Sequence, residues 1–560
     1  MSFLRIPVFV AVLACVLPAA TIGPADAQQS GRGATDAGKI QERIERPKAE
    51  PKTVAPIEAP ADVPRAAAPS AELFRLIGAE IVGSTVYTPE RLGDFYEPYL
   101  GREISLVDVE TIVNSITEQY RRDGYFLSRA IAPPQGAEFG VLRIQVVEGF
   151  IETVAIEGEL PGRADLFETW KSRITAERPL KLTTLERNLL LMADVPGLTV
   201  KPNVRAIDAD TGAYRLDIRL EHAPVTGFVT LDNRGTTPVG PLQTYAGFNA
   251  DSVLGLLERT RLAVFTVPPT PEELLYLEFQ QTHFLNSFGT QGWFFASRSS
   301  VDSGLAGTDS KENSHGTRLL VGLSHPFVRT RESNLYVNLK FDVFDSDKNS
   351  NTDVYDDKLR VLRGGAAYSV NDGFGGANWL SFEISKGFDI LHATDRDSTL
   401  VSVTGGRADF HKATVDLTRL QKIVEDVQLQ LSAVGQWSPF TLLSSEQFSV
   451  GGQRFGRAYD PADISGDQGY AGSAELQYNP PFKAPFLKSL QLYGFYDYGA
   501  VWGTGFTRET MASAGGGIRF SLPRYLDAAI EVARPLTRSA APGEDDGEDP
   551  RIFFSLHATF

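Results

Sequence analysis

The C-terminal part of the chain alternates apolar and polar side chains, and this pattern constrains the fold more than any other feature. From Thr226 to Phe560, apolar residues occupy every second position in run after run, as in Leu335–Val343, Leu429–Ala433 and Ile552–Phe560. Polar, glycine-rich and acidic segments separate these runs. A period of two is that of a β-strand with one apolar and one polar face. At roughly ten residues per strand plus loops, the segment predicts an all-β domain of about sixteen antiparallel strands.

A membrane-spanning β-barrel and a soluble all-β domain are the two folds that this pattern allows. No stretch after the N-terminal segment has the roughly 18 uncharged apolar residues that a membrane helix needs, and a closed barrel is the other structure that satisfies its backbone in lipid. An export signal precedes the strands, and the chain ends in an alternating strand at Phe560. Aromatic residues recur near predicted strand ends, where an interfacial girdle lies. They include Trp379, Trp437, Tyr493, Tyr498 and Trp502. These features favour the membrane barrel.

The first 27 residues predict a secretory signal peptide. Arg5 supplies the positive charge, an apolar core follows, and Ala25-Asp26-Ala27 matches an A-x-A cleavage site. The alternative is a lipoprotein acylated at Cys15, but the preceding Val12-Leu13-Ala14 matches that signal poorly. Cys15 is the only cysteine, so a processed chain would have no disulfide, no cysteine-ligated metal and no thiol catalysis.

Charge and motif content exclude several classes of function. The formal net charge of −16 argues against a nucleic-acid partner, which would favour a basic face. No G-x-x-x-x-G-K-[ST], H-E-x-x-H or G-x-S-x-G pattern occurs in the chain. The paired acids Asp356-Asp357 and Asp545-Asp546 are expected in solvated loops or turns, and bound Ca²⁺ there has no support. We therefore expect no enzymatic activity, no cofactor and no metal.

Residues 28–70 are polar and rich in alanine and proline. Lys39–Arg46 is long enough for two helical turns, and the prolines from Pro47 to Pro69 predict a semi-rigid linker. The segment is either a disordered tail, which the sequence alone favours, or a short helix on a long tether.

Two α/β modules, at residues 71–149 and 150–223, are predicted before the strand region. In the first, Ile77–Val82 predicts a strand, and a helix follows N-cap Thr88 and continues to Gly101. A second helix has a capping-box pattern at Ser105–Asp108, and the second module has one at Thr183–Glu186. Both modules follow the order strand, helix, helix, strand, strand, which predicts an internal repeat of fold.

Two glycine- and aromatic-rich segments in the strand region each contain a charge that would need a partner inside a barrel. They are Gly451–Asp460, which includes Arg457, and Phe495–Gly499, which includes Asp497. A buried Arg and Asp in a barrel favour a structural latch or gate over a catalytic pair. The alternative is that Arg457 is a solvated surface-loop residue.

From Leu73 to Phe560 the chain resembles the outer-membrane transporters of two-partner secretion, the ShlB/FhaC/HecB haemolysin secretion/activation (TpsB) family, which are relatives of the BamA barrels. The segments that carry the resemblance are Ile81–Thr85, Ile116–Tyr125, Pro133–Gln135, Val146–Gly149, Leu231–Gly235 and Ser445–Gly452. The resemblance implies two POTRA domains followed by a transmembrane barrel at residues 224–560. It also implies that the sixth surface loop, near residues 451–470, folds back into the barrel.

In that family the sixth loop carries a V-R-G-Y tetrad, and the barrel wall carries F-x-D-x-G. The tetrad corresponds here to Gly456-Arg457-Ala458-Tyr459, which keeps the Arg and the Tyr. The resemblance implies these site residues: Gly451, Gly452, Arg457 and Tyr459 in the loop, Phe495, Asp497 and Gly499 on the wall, and Phe560 as the terminal strand signal. We predict that Arg457 bonds to Asp497, because a guanidinium keeps its charge and its fork of donors fits a carboxylate.

The resemblance implies a pore in the bacterial outer membrane with its POTRA domains in the periplasm. A separately made exoprotein with an N-terminal secretion domain (TpsA type) would be recognised unfolded, threaded through the barrel without ATP and released at the cell surface. Outer-membrane lipid and the barrel-assembly machinery that inserts the chain are further expected partners. The alternatives are a BamA-type assembly factor, which usually has more POTRA domains, and a passive porin, which needs none.

Overall fold

A computed structural model gives the architecture of most of the chain. It describes residues 36, 39–40, 44, 52–55, 73–135, 138–208, 210–236, 239–304, 311–350, 354–482, 484–504, 506–523, 525–537 and 549–560. The predicted signal peptide at residues 1–27 and most of residues 28–70 lie outside these ranges. Among the described helices, none has both the length and the apolar character needed to cross a membrane.

The first module packs two helices against a three-stranded sheet. Its elements are β1 (Phe74–Arg75), β2 (Gly78–Val82), α1 (Pro89–Gly93), β3 (Glu103–Ile104), α2 (Leu106–Arg122), β4 (Arg129–Ile131) and β5 (Val141–Val147). The sheet order is β2-β5-β4, and the short strands β1 and β3 pair separately. The apolar faces of α2 and β5 meet through Ile112, Ile116 and Ile144, which are almost fully buried.

The helix ends of this module agree only in part with the predicted signals. Ser105 caps α2 as predicted, since its Oγ accepts the N–H of Asp108 and the Asp108 carboxylate accepts the N–H of Ser105 at 2.7 Å. The predicted continuation of the first helix to Gly101 is wrong. That helix ends at Gly93, and Glu97–Tyr99 forms a separate 3₁₀ turn. A continuous helix to Gly101 would also need an N–H at position 98, which Pro98 lacks.

The second module repeats the order of the first. Its elements are β6 (Phe150–Glu157), α3 (Ala164–Ala176), α4 (Leu182–Ala193), β7 (Leu198–Asp208) and β8 (Ala213–His222). Its sheet order is β6-β8-β7, so the predicted internal repeat of fold is confirmed. The predicted capping box at Thr183–Glu186 is wrong. The N–H groups of Thr184 and Leu185 both donate to Lys181 O, which places Thr183 inside the first turn of the helix.

The remaining chain forms a closed barrel of sixteen antiparallel strands, as predicted. Its strands are β9 (Val225–Asp232), β10 (Gln243–Asp251), β11 (Glu258–Thr266), β12 (Leu274–Phe284), β13 (Gln291–Gly304), β14 (Lys311–Arg329), β15 (Ser333–Asn349), β16 (Val354–Asn371), β17 (Gly376–Gly387), β18 (His411–Val424), β19 (Val427–Trp437), β22 (Gln468–Tyr478), β23 (Ser489–Gly503), β24 (Phe506–Leu522), β25 (Leu526–Pro535) and β26 (Arg551–Thr559). Between β19 and β22, the short strands β20 (Phe448–Val450) and β21 (Ile464–Gly466) pair with each other and stay outside the barrel ladder. The barrel closes where β26 pairs with β9.

Burial on the barrel strands is the reverse of that in a soluble domain. On β15, Val337 and Leu339 point outward and are 40% and 50% exposed, whereas Asp342 points into the lumen and is 1% exposed. Apolar side chains outside and charged side chains inside are the arrangement of a transmembrane barrel.

The second module is docked on one end of the barrel, which we call the near end. Trp170 Nε1 donates to Ser287 O at 2.8 Å, in the turn between β12 and β13. The buried guanidinium of Arg329, at the end of β14, donates to both carboxylate oxygens of Asp194 at 2.7 and 2.8 Å and to Lys52 O at 2.6 Å. These bonds join the second module, the barrel and Lys52 of the N-terminal segment.

Candidate functional site: the lumen loop and its wall partners

The connection between β19 and β22, residues 438–467, folds back into the lumen, and we call it loop 6. The β20–β21 hairpin packs on the wall in an apolar cluster with residues of β22–β26. After β20 the chain reverses at Gly451 and Gly452, whose φ values are +116° and +95°. A Cβ at Gly451 would lie 2.2 Å from Asp460 O, so a side chain at this position would collide with the returning strand of the loop.

Arg457 lies at the tip of loop 6 and is 5% exposed. Its Nε and Nη2 donate to the two carboxylate oxygens of Asp497 at 3.1 and 3.0 Å, and its backbone N–H also donates to Asp497 at 3.1 Å. Nη1 donates to Glu475 at 2.5 Å, and Nη2 donates to Ser473 Oγ at 3.0 Å. The predicted bond between Arg457 and Asp497 is therefore present, and Arg457 is a buried lumen residue, not a solvated surface-loop residue.

The three residues of the wall segment on β23 support the loop in different ways. The Phe495 ring lies 3.5 Å from the Arg457 guanidinium carbon and provides a cation–π face. Asp497 provides the bidentate carboxylate. At Gly499, a Cβ would lie 2.6 Å from Val450 Cγ1, so the missing side chain makes room for β20 against the wall.

The rest of the tetrad is also seated on the wall. The Tyr459 hydroxyl donates to Ala512 O on β24 at 2.9 Å, and the side chain is 1% exposed. Gly456 has a φ of +76°, a conformation in which a valine would be strained, whereas Ala458 is fully buried with a negative φ. The residue before Arg457 adopts a left-handed backbone conformation, and this accounts for glycine at position 456.

A second ion cluster holds the beginning of loop 6. Glu446 is 2% exposed and pairs with Arg363 on β16 at 2.5 Å and with Lys412 on β18 at 2.7 Å. Arg363 also pairs with Asp342 at 2.9 Å, and Asp342 pairs with Arg318 at 2.5 Å. Loop 6 is therefore anchored on two sides of the lumen, by Glu446 at its base and by Arg457 at its tip.

Four described residues of the N-terminal segment, Asp36, Lys39, Ile40 and Ile44, also lie in the lumen. Lys39 Nζ donates to Gln447 O at 2.7 Å and to Ser449 Oγ at 2.8 Å, both in loop 6. Ile40 and Ile44 pack on lumen-facing residues of β9–β13, including Phe228 and Tyr245. The sequence alone favoured a disordered tail for residues 28–70. This prediction is wrong for Asp36, Lys39, Ile40 and Ile44, which pack between loop 6 and the wall.

Part of the lumen stays open beside these two segments. A cavity of about 1260 Å³ lies between loop 6 and strands β18–β26, and it also reaches Asp232 and Ile44. Its lining is mixed, with Gln430, Ser432 and Arg519 among the polar residues. The C-terminal Phe560 lies at the near end of β26, where it exchanges backbone hydrogen bonds of 2.7 and 3.0 Å with Gly227 and is 78% exposed.

Sequence reasoning missed several charged residues that surround the predicted pair. Glu475, Arg519 and Glu531 contact one another or Arg457 in the lumen, while Arg363 and Lys412 hold Glu446. Alternation along β22 places Glu475 opposite the apolar face, so its inward direction was predictable. Its partners were not, because they lie on strands that meet only in the closed barrel.

The arrangement defines a class: an outer-membrane transport barrel with periplasmic α/β modules and an inward-folded loop. Residues 215–520 match the family model of the haemolysin secretion/activation protein ShlB/FhaC/HecB, and residues 74–149 match the ShlB-type POTRA domain. The chain belongs to the ShlB/FhaC/HecB family, whose members are outer-membrane transporters of two-partner secretion. The barrel therefore lies in the outer membrane, the near end faces the periplasm, and the opposite end is extracellular.

Known relatives agree with this assignment along most of the chain. The heme/hemopexin transporter protein HuxB of Haemophilus influenzae is 25% identical over 492 residues, which cover 84% of each chain. The outer membrane transporter CdiB of Dickeya dadantii is 24% identical over 468 residues, 79% of each chain. The solved structure of CdiB from Escherichia coli superposes with a TM-score of 0.70 at 19% identity, covering 89% of this chain and 93% of that one.

Proposed function

We propose that this chain captures an unfolded exoprotein in the periplasm and moves it through the barrel to the cell surface. The occupancy of the lumen carries the proposal. Loop 6 and the N-terminal segment fill much of it through hydrogen bonds, ion pairs and side-chain packing, beside a cavity of about 1260 Å³. Loop 6 and the N-terminal segment can therefore leave the lumen without breaking a covalent bond. Their departure would widen the passage for an extended chain.

The two POTRA modules supply the surfaces that capture the exoprotein. Their sheets have β2 and β4, and β6 and β7, as edge strands, and an extended chain can add to such an edge through main-chain hydrogen bonds. Next to β2, Ile77 is 69% exposed and Phe139 is 88% exposed. These two side chains offer apolar contacts to a bound segment.

The proposed division of the chain follows these roles. Residues 1–27 are the signal peptide, 28–70 the plug and linker, 71–149 and 150–223 the POTRA domains, and 224–560 the barrel. The outer face of the barrel contacts outer-membrane lipid, and Phe560 presents the terminal strand to the barrel-assembly machinery. Transport uses no ATP, because folding of the exoprotein outside the cell prevents its return.

Loop 6 and the N-terminal segment act as the gate in this proposal. Arg457 and Asp497 hold the loop in its resting position, and Lys39–Arg46 plugs the lumen. Deletion of residues 28–46 should raise the conductance of the purified pore in planar lipid bilayers. Unchanged conductance would remove the plug from the proposal and leave loop 6 as the gate.

A secretion assay tests the function as a whole. The partner is sought as a large exported β-helical protein encoded beside this chain. When the transporter is deleted, that protein should accumulate in the periplasm, and a plasmid-borne copy should restore its release. Normal export without the transporter would refute the proposal. Loss of many barrel proteins from the outer membrane would indicate a BamA-type assembly factor instead.

A further inference from the structure

The seam that closes the barrel is paired over only part of its length. β26 and β9 form five ladder pairs, from Ser555–Asp232 to Thr559–Phe228, whereas β9 and β10 form eight. The extracellular end of β26, which begins at Arg551, extends four residues beyond the last of these pairs. The backbone ladder therefore holds the periplasmic part of the seam, and other contacts must hold its extracellular part.

Beyond the ladder one backbone hydrogen bond follows, from Asn233 N–H to Phe554 O at 3.4 Å, and side chains that follow β9 make the other contacts. Asn233 Oδ1 accepts the N–H of Phe554 at 2.7 Å, and Asn233 Nδ2 donates to Ile552 O at 3.0 Å. Arg234 reaches further, across β26 to β25, where its Nη2 donates to Glu531 at 2.6 Å. Its side chain is 10% exposed, so this ion pair is largely shielded from water.

The tip of loop 6 contacts both strands of the seam. Arg457 O accepts from Arg234 Nη1 at 3.3 Å, and Ala458 O accepts from Arg551 Nη1 at 3.0 Å. Arg551 also pairs with Asp460 of the loop at 2.9 Å. Two consecutive carbonyl groups of the loop thus bind one arginine from each side of the seam.

A shared aromatic ring and a shared carboxylate complete the connection. The Phe553 ring lies 4.1 Å from the Arg234 guanidinium and 5.1 Å from that of Arg551, so it lies between the two arginines. Glu531 accepts from Arg234 and lies 3.6 Å from Arg457. Withdrawal of the loop tip would remove an acceptor from both arginines and a cation from Glu531 at once.

We propose that the tip of loop 6 is the clasp of the β9–β26 seam, and that Arg234 and Arg551 are the positioning residues that close it. Withdrawal of the loop then loosens the extracellular half of the seam, and the barrel widens in the same step as the loop clears the lumen. The inference rests on the proposed role of loop 6 as a gate, but its test needs no exoprotein.

Single-channel recording of the purified pore in planar bilayers tests the coupling. The double variant Arg234→Ala/Arg551→Ala should increase the open probability and the largest conductance at least several-fold. The matched control is Arg419→Ala, an arginine on β18 that pairs with Asp372 at 2.6 Å away from the seam and from loop 6, and it should leave both values near wild type. Arg234→Lys/Arg551→Lys, which keeps two cationic donors, should restore part of the wild-type behaviour.

A disulfide across the seam separates widening of the seam from movement of the loop alone. Asp232 and Ser555 form the last ladder pair before the extracellular part of the seam, so a D232C/S555C disulfide would tie the two strands where that part begins. In the Ala/Ala background the oxidised pore should lose the gain in maximum conductance, and reduction should restore it. A gain that survives oxidation, or Ala/Ala pores identical to wild type, would overturn the clasp.

Folding of each variant is checked by comparing the electrophoretic mobility of heated and unheated samples, because the folded barrel and the heat-denatured chain migrate differently. If Ala/Ala does not fold, the disulfide in the otherwise native pore serves as the test. Oxidation should then lower the largest conductance reversibly, and an unchanged value would overturn the proposal. None of these results depends on secretion, so a failed secretion assay with normal coupling would refute only the proposed exoprotein transport.

Discussion

Replacement of Arg457 by alanine should release loop 6 from its resting position. The change removes the guanidinium donors from the loop tip and leaves the carboxylate of Asp497, which is fully buried, without its cation. Loss of one partner of a buried ion pair typically costs about 3–5 kcal/mol. Asp497 keeps the hydroxyl of Ser473 at 2.7 Å, and Glu475 keeps Arg519 at 2.6 Å. We therefore expect the lower end, about 3 kcal/mol, which raises the population of the displaced loop about 100-fold.

Open probability in planar bilayers measures this shift directly, and Arg454→Ala is the matched control in the same loop. Arg454 also pairs with a wall carboxylate, that of Asp416, but its side chain is 50% exposed. An exposed pair contributes about 0–1 kcal/mol, so the control should change the open probability only a few-fold. Equal open probabilities for Arg457→Ala and wild type would refute the idea that the buried pair holds the loop.

Three other changes probe the plug, the wall and the first module. Lys39→Met removes two of the hydrogen bonds between the N-terminal segment and loop 6 and should raise the conductance of the pore. No change would show that the contacts of Asp36, Ile40 and Ile44 hold the segment without it. Gly499→Val should push β20 off the wall at a cost of about 1–3 kcal/mol and make loop 6 accessible to external protease; a protected loop would contradict this close contact. Ser105→Ala should destabilise α2 by about 1 kcal/mol, measured as faster amide exchange in the intact protein. The N–H and hydroxyl of Ser105 lower the pKa of Asp108, so the contribution of this carboxylate is present above about pH 4 and is lost as the pH falls through its folded pKa. The variant keeps the backbone N–H at position 105, so this pH dependence of stability should become smaller but should not vanish.

The two ion clusters suggest why the resting loop is specific as well as stable. Glu446 lies at the base of the loop and Arg457 at its tip, and they bind different strands, β16 and β18 at the base and β22 and β23 at the tip. A loop that shifted by one strand would leave several buried charges unpaired, which is costly in a low-dielectric lumen. The charges therefore select one position of the loop on the barrel wall among many that the apolar contacts would allow.

Local patterns predicted the elements well where the signal acts within a few residues. The alternation on β15 and β26 predicted strands, and the capping box at Ser105 predicted the start of α2. The Thr183 signal failed because the first turn closes on Lys181, two residues earlier. Several polar residues near a helix start can match a capping pattern, and tertiary packing selects the one that is used.

The sequence by itself determined the strands and which side chains share a face, because a period of two specifies the two faces of every strand. The length of the strand region predicted about sixteen strands, and the export signal favoured a membrane barrel over a soluble domain. It also indicated Arg457 and Asp497, through their motifs. Only the tertiary structure decided which lumen charges meet: Arg457 with Glu475 as well as Asp497, Glu446 with Arg363, and Arg234 across the seam with loop 6. Alternation specifies the direction of a side chain but not the register between strands. Partners far apart in the chain therefore come together only when the barrel closes around its loop.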